Sequence, residues 1–252
     1  MHDYNLKFID DEAIYNHVKE TVALYRTRMN LIDFNKNIVD PIKLTFDAKI
    51  YGKTLKDIVI SECLRQMDKA NNNHIGYFHQ NLFKYAGDGW SVPKEGFDVT
   101  NEEKHIFVEM KNKHNTMNSA SSQKTYMKMQ QKIVRDDKAT CYLVEVIAKK
   151  SQDKAWIVTV DKERFCNENI RRISMDKFYE LVFGDSNAFY KMCKVLPLVL
   201  DDVIADGEII SRKEKKNDSG NTVFKELESI SPDITKSLYL LAFQSYEGFE
   251  MF

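Results

Sequence analysis

Phe97-Asp98-Val99-Thr100-Asn101-Glu102-Glu103-Lys104-His105-Ile106-Phe107-Val108-Glu109-Met110-Lys111 is the stretch whose reading decides the fold. Residues 96–100 alternate, Asn101-Glu102-Glu103-Lys104 is a polar turn, and residues 105–111 alternate again with Ile106, Val108 and Met110 on one side. The pattern predicts a β-hairpin. Successive strand residues point to opposite faces, so Glu109 and Lys111 share the other side. If the hairpin folds about Glu102 and Glu103, Asp98 lies across from Phe107 or Glu109, and Phe97 and Val99 join the apolar side. A slip of one residue would bury the charges, which selects this register.

Two carboxylates and an amine are thereby brought to one surface. Neighbouring carboxylates repel, and a half-buried pair raises one pKa unless a cation sits between them. A hard divalent ion meets that need, and Mg²⁺ prefers oxygen ligands, retains waters and binds through one or two carboxylates plus substrate phosphate. Such an ion polarises a phosphorus–oxygen bond and lowers the pKa of an attacking water. Lys111 points into the same space, where it can orient that water or offset charge developing on the phosphate. The competing reading is a surface hairpin with a solvated Asp and a Glu/Lys pair.

The neighbouring sequence favours the first reading. From Met110 to Arg135 the chain carries Lys111, Lys113, Lys124, Lys128, Lys132 and Arg135 without one Asp or Glu, although the formal net charge of the whole protein is −1. Ser121 or Ser122 can cap a helix starting near Gln123, on which Lys124, Lys128 and Lys132 recur every fourth residue while Tyr126, Met129 and Ile133 form the inner face. Such a row suits a phosphate backbone, with binding that weakens steeply as salt rises. An ordinary solvated helix face is the alternative.

Asp98, Glu109 and Lys111 resemble the PD-(D/E)XK nuclease signature. The longer string Glu109-Met110-Lys111-Asn112-Lys113-His114-Asn115-Thr116-Met117-Asn118-Ser119 resembles the type II restriction endonucleases that cut GGNCC. Further stretches are similar to that group: Asn35-Lys36-Asn37-Ile38-Val39-Asp40-Pro41-Ile42-Lys43-Leu44-Thr45-Phe46-Asp47, Asn72-Asn73-His74-Ile75-Gly76-Tyr77-Phe78-His79-Gln80-Asn81, Pro93-Lys94-Glu95-Gly96-Phe97-Asp98 and Ile173-Ser174 leading into Phe178-Tyr179-Glu180-Leu181-Val182. One departure is Phe97 where the superfamily pattern has Pro.

The resemblance implies an α/β, restriction-endonuclease-like core: a mixed central sheet flanked by helices, with a helical C-terminal tail. It also implies a Mg²⁺-dependent homodimer that cuts both strands of a short pseudopalindrome in double-stranded DNA, GGNCC by family, leaving 5′-phosphate ends. Asp98 and Glu109 carry over as metal ligands and Lys111 as the catalytic amine, with the Met110 carbonyl as a further ligand. Glu62, in the helix before the hairpin, is a candidate to support the metal through water, or else a surface glutamate. His79 and Gln80 are candidates to support the site, or else a hydrogen-bonded structural pair. Lys113, His114, Asn115, Asn118 and Gln123 are the side chains expected at DNA, with Lys124, Lys128 and Lys132, because Lys suits guanine acceptors, Asn and Gln suit adenine, and all of them suit phosphates. A companion DNA methyltransferase is expected in the same system, without direct contact. The rival functions are a structure-specific repair or recombination nuclease of the same superfamily, and a DNA-binding protein with a dead nuclease core.

Composition narrows the class. With 252 residues and 43% hydrophobic content the chain can build one sizeable core. No stretch approaches the roughly 18–20 apolar residues of a membrane span. The start Met1-His2-Asp3-Tyr4 does not read as a signal peptide. Cys63, Cys141, Cys166 and Cys193 lack paired spacing, which points away from a zinc ribbon or disulfide framework and fits a reducing cytoplasm.

The expected organisation is a single nuclease domain over 1–252, with a helical part at 1–89, the catalytic core at 90–210, and a mobile loop with a helical tail at 211–252. Asp10 or Asp11 caps a first helix with inner stripe Ile14, Val18, Val22, Tyr25 and Met29. Asp40-Pro41 opens a short element ending near Gly52, and Thr54-Leu55-Lys56-Asp57 reads as a near capping box. Asn71-Asn72-Asn73 is expected to end that helix before another at 75–85. Strands are expected at 90–92, 141–148 and 155–160. Ser174 caps a helix ended by Gly184, and a further helical run at 185–204 is expected to break at Pro197. The charged stretch 211–221 reads as a loop before a tail at 234–243, with Leu238, Leu241, Ala242 and Phe243 as its packing face.

Overall fold

The computed structural model of the protein describes residues 3–114, 116–160, 162–206 and 219–243. Asn115 and the charged segment 211–218 lie outside the described residues. The chain divides into two compact units, Met1–Thr21 with Ile75–Asp206, and Val22–His74 with Gly207–Phe252.

The first unit is built on a six-stranded mixed sheet. Its strands are β1 (Trp90–Ser91), β2 (Val99–Asn101), β3 (Ile106–Lys113), β4 (Thr140–Ile147), β5 (Asp153–Ala155) and β8 (Ile170–Ser174), in the order β1-β2-β3-β4-β8-β5. The hairpin β2–β3 is antiparallel and pairs Val99 with Val108, whereas β3–β4 and β4–β8 are parallel. Residues 155–160 do not extend this sheet as one run: β5 is its edge strand, and β6 (Val158–Val160) pairs separately with β7 (Glu163–Phe165). β8 has no counterpart among the expected strands. Arg171 and Arg172 break its apolar pattern, yet both find acidic partners, Asp153 for Arg171 and the buried Glu145 for Arg172.

Parity assigns the faces of the sheet. Phe107, Cys141, Leu143 and Ile170 form one core with Tyr126 and Met129 of α5 (Ser119–Arg135). The other face carries Trp90, whose ring meets Phe178 of α6 (Met175–Phe183) edge to face at 5.7 Å between centroids. The central strands are therefore covered on both sides, the arrangement expected of parallel strands connected by helices.

Local signals set several ends. Asp10 accepts the N–H groups of Glu12 and Ala13 and caps α1 (Asp11–Leu24). That helix stops before Tyr25, which is exposed. Gly184 ends α6 in the left-handed conformation at φ 69°. α5 starts at Ser119 because Asn118 caps it, accepting the Ser121 N–H at 2.8 Å, four residues before the start that a serine cap would give. α7 (Ala188–Asp206) runs through Pro197, with Met192, Val199 and Val203 buried along it. Apolar packing on that face outweighs the one backbone hydrogen bond the proline forfeits.

In the second unit Asn30 caps α2 (Leu31–Asn35), and Asp40 caps α3 (Pro41–Tyr51) with Pro41 in its first turn and Gly52 closing it. Thr54 accepts the Asp57 N–H at the start of α4 (Leu55–Asn81). α4 is continuous: Asn71-Asn72-Asn73 does not interrupt it, and the separate helix expected at 75–85 is its last turns plus a 3-10 turn, Leu82–Tyr85. The Asn71 side chain is occupied instead with the Arg26 backbone, accepting at 2.8 Å and donating at 3.1 Å. Phe34, Val59 and Cys63 pack with Val223, Leu227 and Leu238 from α8 (Ser219–Ile230) and α9 (Ile234–Phe243). Residues 219–221, expected in a loop, begin α8. Its Gly220 is needed for close approach, since an added Cβ would lie 2.8 Å from the Ile60 Cα. In α9 Leu238 is buried and Leu241 packs against the same core, while the Ala242 side chain lies outside the described residues.

Candidate active site

Val99 pairs with Val108, and Asp98 lies in the bend immediately before β2. The Asp98 N–H donates to the Val108 carbonyl at 2.9 Å, and the Met110 N–H donates to Asp98 Oδ2 at 2.7 Å. From α4, Gln80 donates its amide to the Asp98 carbonyl at 3.0 Å. Asp98 is thus held by three hydrogen bonds, one of them through its carboxylate.

Glu109 is 8% exposed, so its charge needs partners. It has two ammonium groups. Lys111 Nζ lies 3.8 Å from Oε2. The Lys128 ammonium, from α5, pairs with Oε1, donates to the Gly96 carbonyl at 2.7 Å and sits over the Phe97 ring at 4.4 Å. Gly96 adopts φ +95°, a conformation L side chains rarely take, in presenting that carbonyl. Residues 94–98 bend rather than continue as strand, which carries Phe97 across to Phe107, 5.4 Å between centroids, on the Glu109 side of the sheet. Phe97 therefore does not join Val99 on the apolar side as strict alternation requires.

A third carboxylate lies on the neighbouring strand. Glu145 of β4 is the register partner of Lys111 and is 1% exposed. His114 Nδ1 lies 3.0 Å from both of its oxygens, and Arg172 Nη2 lies 2.9 Å from Oε1. Sequence reasoning missed Glu145, although a lone acid inside the apolar run Cys141-Tyr142-Leu143-Val144-Glu145-Val146-Ile147 was a readable signal.

The side chains expected at DNA have mixed surroundings. Lys113 and Lys124 are exposed. His114 is on Glu145, Asn118 caps α5, and Gln123 donates to the Thr159 carbonyl at 3.1 Å. Lys128 and Lys132 do not form an exposed row with Lys124; the Lys132 ammonium is 3.8 Å from the Phe107 ring centroid and 3.7 Å from Asp136. Helical spacing places positions 128 and 132 next to the buried position 129, at the edge of the packed face.

His79 is the neighbour of Gln80. Burial, aided by nearby His17, lowers its imidazole pKa to about 4, and its Nδ1 has no hydrogen-bond partner. Glu62 accepts from Arg65 at 2.6 and 2.5 Å and from Gln66 at 2.9 Å. Burial opposes its ionisation, but those bonds prevail and hold the carboxyl below its ordinary value. Among the described residues no group of three or more His, Cys, Asp or Glu is arranged so as to hold a metal ion. No helix among them is long and apolar enough to cross a membrane.

Residues 6–205 match the family model described as Eco47II restriction endonuclease. The chain is similar to the type II restriction enzyme Sau96I of Staphylococcus aureus, 31% identical over 235 residues that cover 88% of this chain and 87% of the relative. It is also similar to the type II restriction enzyme Eco47II of Escherichia coli, 28% identical over 214 residues covering 80% and 89%.

Proposed function

The chain belongs to the Eco47II restriction endonuclease family and is a type II site-specific deoxyribonuclease, and from that premise we propose that Asp98, Glu109 and Lys111 form a Mg²⁺-dependent hydrolytic centre of the PD-(D/E)XK kind. The observation that supports this reading is the hydrogen bond that ties the Asp98 carboxylate to the Met110 N–H, the residue after Glu109, with an ammonium already lodged on Glu109. A pocket that accommodates one cation there fits another, and hard carboxylate and carbonyl oxygens suit Mg²⁺.

Asp98, Glu109 and the Met110 carbonyl would hold the ion. Bound there, it would supply polarisation of the phosphorus–oxygen bonds and a lowered pKa for the attacking water. Lys111 orients that water and offsets charge gathering on the phosphoryl oxygens. The water oxygen bonds to phosphorus as the bond to O3′ breaks. The water gives up a proton and O3′ takes one, leaving a 3′-hydroxyl and a 5′-phosphate with phosphorus inverted. Gln80 supports the site by holding the Asp98 carbonyl, and the exposed Lys113 and Lys124 meet backbone phosphates.

In this reading the target is GGNCC. A homodimer supplies one centre for each strand of the two-fold site. The enzyme works in the cytoplasm alongside a methyltransferase of the same specificity. Digestion of a sequenced plasmid with Mg²⁺, followed by fragment-end sequencing, tests it. Discrete fragments ending at GGNCC with 5′-phosphates are expected, and Asp98→Ala, Glu109→Gln and Lys111→Ala are each expected to lose on the order of a hundredfold or more in rate. Full activity in Asp98→Ala would overturn the centre, and discrete cutting at another sequence would overturn the specificity.

A further inference from the structure

The ammonium of Lys128 has three neighbours that together make a cation site: a carboxylate oxygen of Glu109, the Gly96 carbonyl at 2.7 Å and the face of Phe97 at 4.4 Å. Gly96 and Phe97 immediately precede Asp98, whose carboxylate accepts from the N–H of Met110, the residue after Glu109. The other Glu109 oxygen faces Lys111 more loosely, at 3.8 Å. A divalent ion that takes Glu109 as ligand must therefore compete with Lys128 for Oε1.

We propose that Lys128 is a displaceable internal counter-ion of Glu109. It holds the buried carboxylate in place before metal arrives, and it exchanges with the metal on loading. This rests on the reading of Glu109 as a metal ligand. Without Lys128 the carboxylate of Glu109 would keep, among the described residues, the ammonium of Lys111 alone, so the ion pair that steadies the metal-free enzyme also weakens its hold on metal. Once displaced, the ammonium lies one helical turn from the exposed Lys124, on the basic helix expected to meet the phosphate backbone. Lys128 is in this sense a positioning residue that acts through Glu109, and not one of a row of surface anchors.

Lys128→Met keeps most of the apolar stem over Phe97 and removes the charge. Mn²⁺ and Mg²⁺ are titrated into the DNA-free full-length protein, wild type, Lys128→Met and Glu109→Gln, with free Mn²⁺ read by electron paramagnetic resonance and Mg²⁺ binding read by calorimetry. Loss of a merely structural contact would weaken metal binding. The exchange instead requires Lys128→Met to bind about three- to tenfold more tightly, the scale of a half-exposed ion pair. Unchanged or weaker binding in Lys128→Met, with binding lost in Glu109→Gln, overturns the counter-ion role and leaves the metal site standing. Wild-type binding in Glu109→Gln overturns the metal reading itself. In the wild-type protein, amine acetylation followed by peptide mass spectrometry is expected to label Lys128 faster when Mg²⁺ is present, and equal labelling with and without the ion counts against the exchange.

Discussion

Asp98 and Met110 are joined by a hydrogen bond from the Met110 N–H to the Asp98 carboxylate at 2.7 Å, so a side chain continues the β2–β3 ladder beyond its last backbone pair. One carboxylate therefore serves the fold and, in the proposed centre, the chemistry. Asp98→Asn keeps an oxygen that can accept this bond, whereas Asp98→Ala leaves the N–H without its partner. Cleavage is expected to collapse in both variants. Only Asp98→Ala is expected to lose about 1–2 kcal/mol in urea denaturation. An active Asp98→Asn would show that the ionised oxygen is not required.

Glu145 is almost wholly buried and depends on two cationic or polar neighbours, Arg172 and His114. Removal of one partner from a buried pair leaves an uncompensated charge. Arg172→Leu is therefore expected to destabilise the protein by about 3 kcal/mol, and more than His114→Ala does. Chemical denaturation of the two variants checks the order, and a cost below about 1 kcal/mol for Arg172→Leu would mean that Glu145 finds compensation elsewhere.

Gly220 lies against the backbone of Ile60, which cannot turn aside as a flexible side chain can. Gly220→Ala is expected to cost about 1–3 kcal/mol by overpacking, despite the better helix propensity of alanine. A thermal melt showing equal or greater stability would refute the close approach.

His79 bears on the pH dependence of stability. Its folded-state pKa is lowered to about 4 from an ordinary 6.5, mainly by burial, and that of His17 is lowered by burial too. The unfolded chain then takes up these protons first, so stability present above pH 6.5 is lost as pH falls toward 4. For His79 the loss between pH 7 and pH 5 is about 2 kcal/mol. Urea midpoints at the two pH values measure it, and His79→Phe is expected to flatten the slope. The same slope in that variant would exclude His79 as its source.

Much of the framework was legible because its causes are local. The alternation through residues 105–111 and the polar turn before it were enough to give the antiparallel β2–β3 hairpin. Asp40 and Pro41 opening α3, Gly52 closing it, Thr54 at the start of α4, and Ser174 and Gly184 around α6 are signals that act within a turn or two of the residues that carry them. Family membership was legible too, from strings of residues about the hairpin.

What lay beyond the sequence depends on partners distant along the chain. The three asparagines at 71–73 and Pro197 are helix breakers by propensity, yet Asn71 is occupied with the backbone of Arg26, Asn72 donates to Asp68, and burial of Met192, Val199 and Val203 carries α7 through its proline. Arg171 and Arg172 hide a strand whose charges are met by Asp153 and Glu145. The bend at residues 94–98 sends Phe97 to the side opposite its parity. Lys128 reads as one of a row of solvated lysines, yet the placement of α5 over the sheet sets its ammonium on Glu109. The sequence by itself determined the family and the β2–β3 hairpin, since strand period and turn chemistry are short-range. Only the tertiary structure decided which cations those carboxylates meet, because an ion pair between residues 109 and 128 exists through the packing of a helix on a sheet.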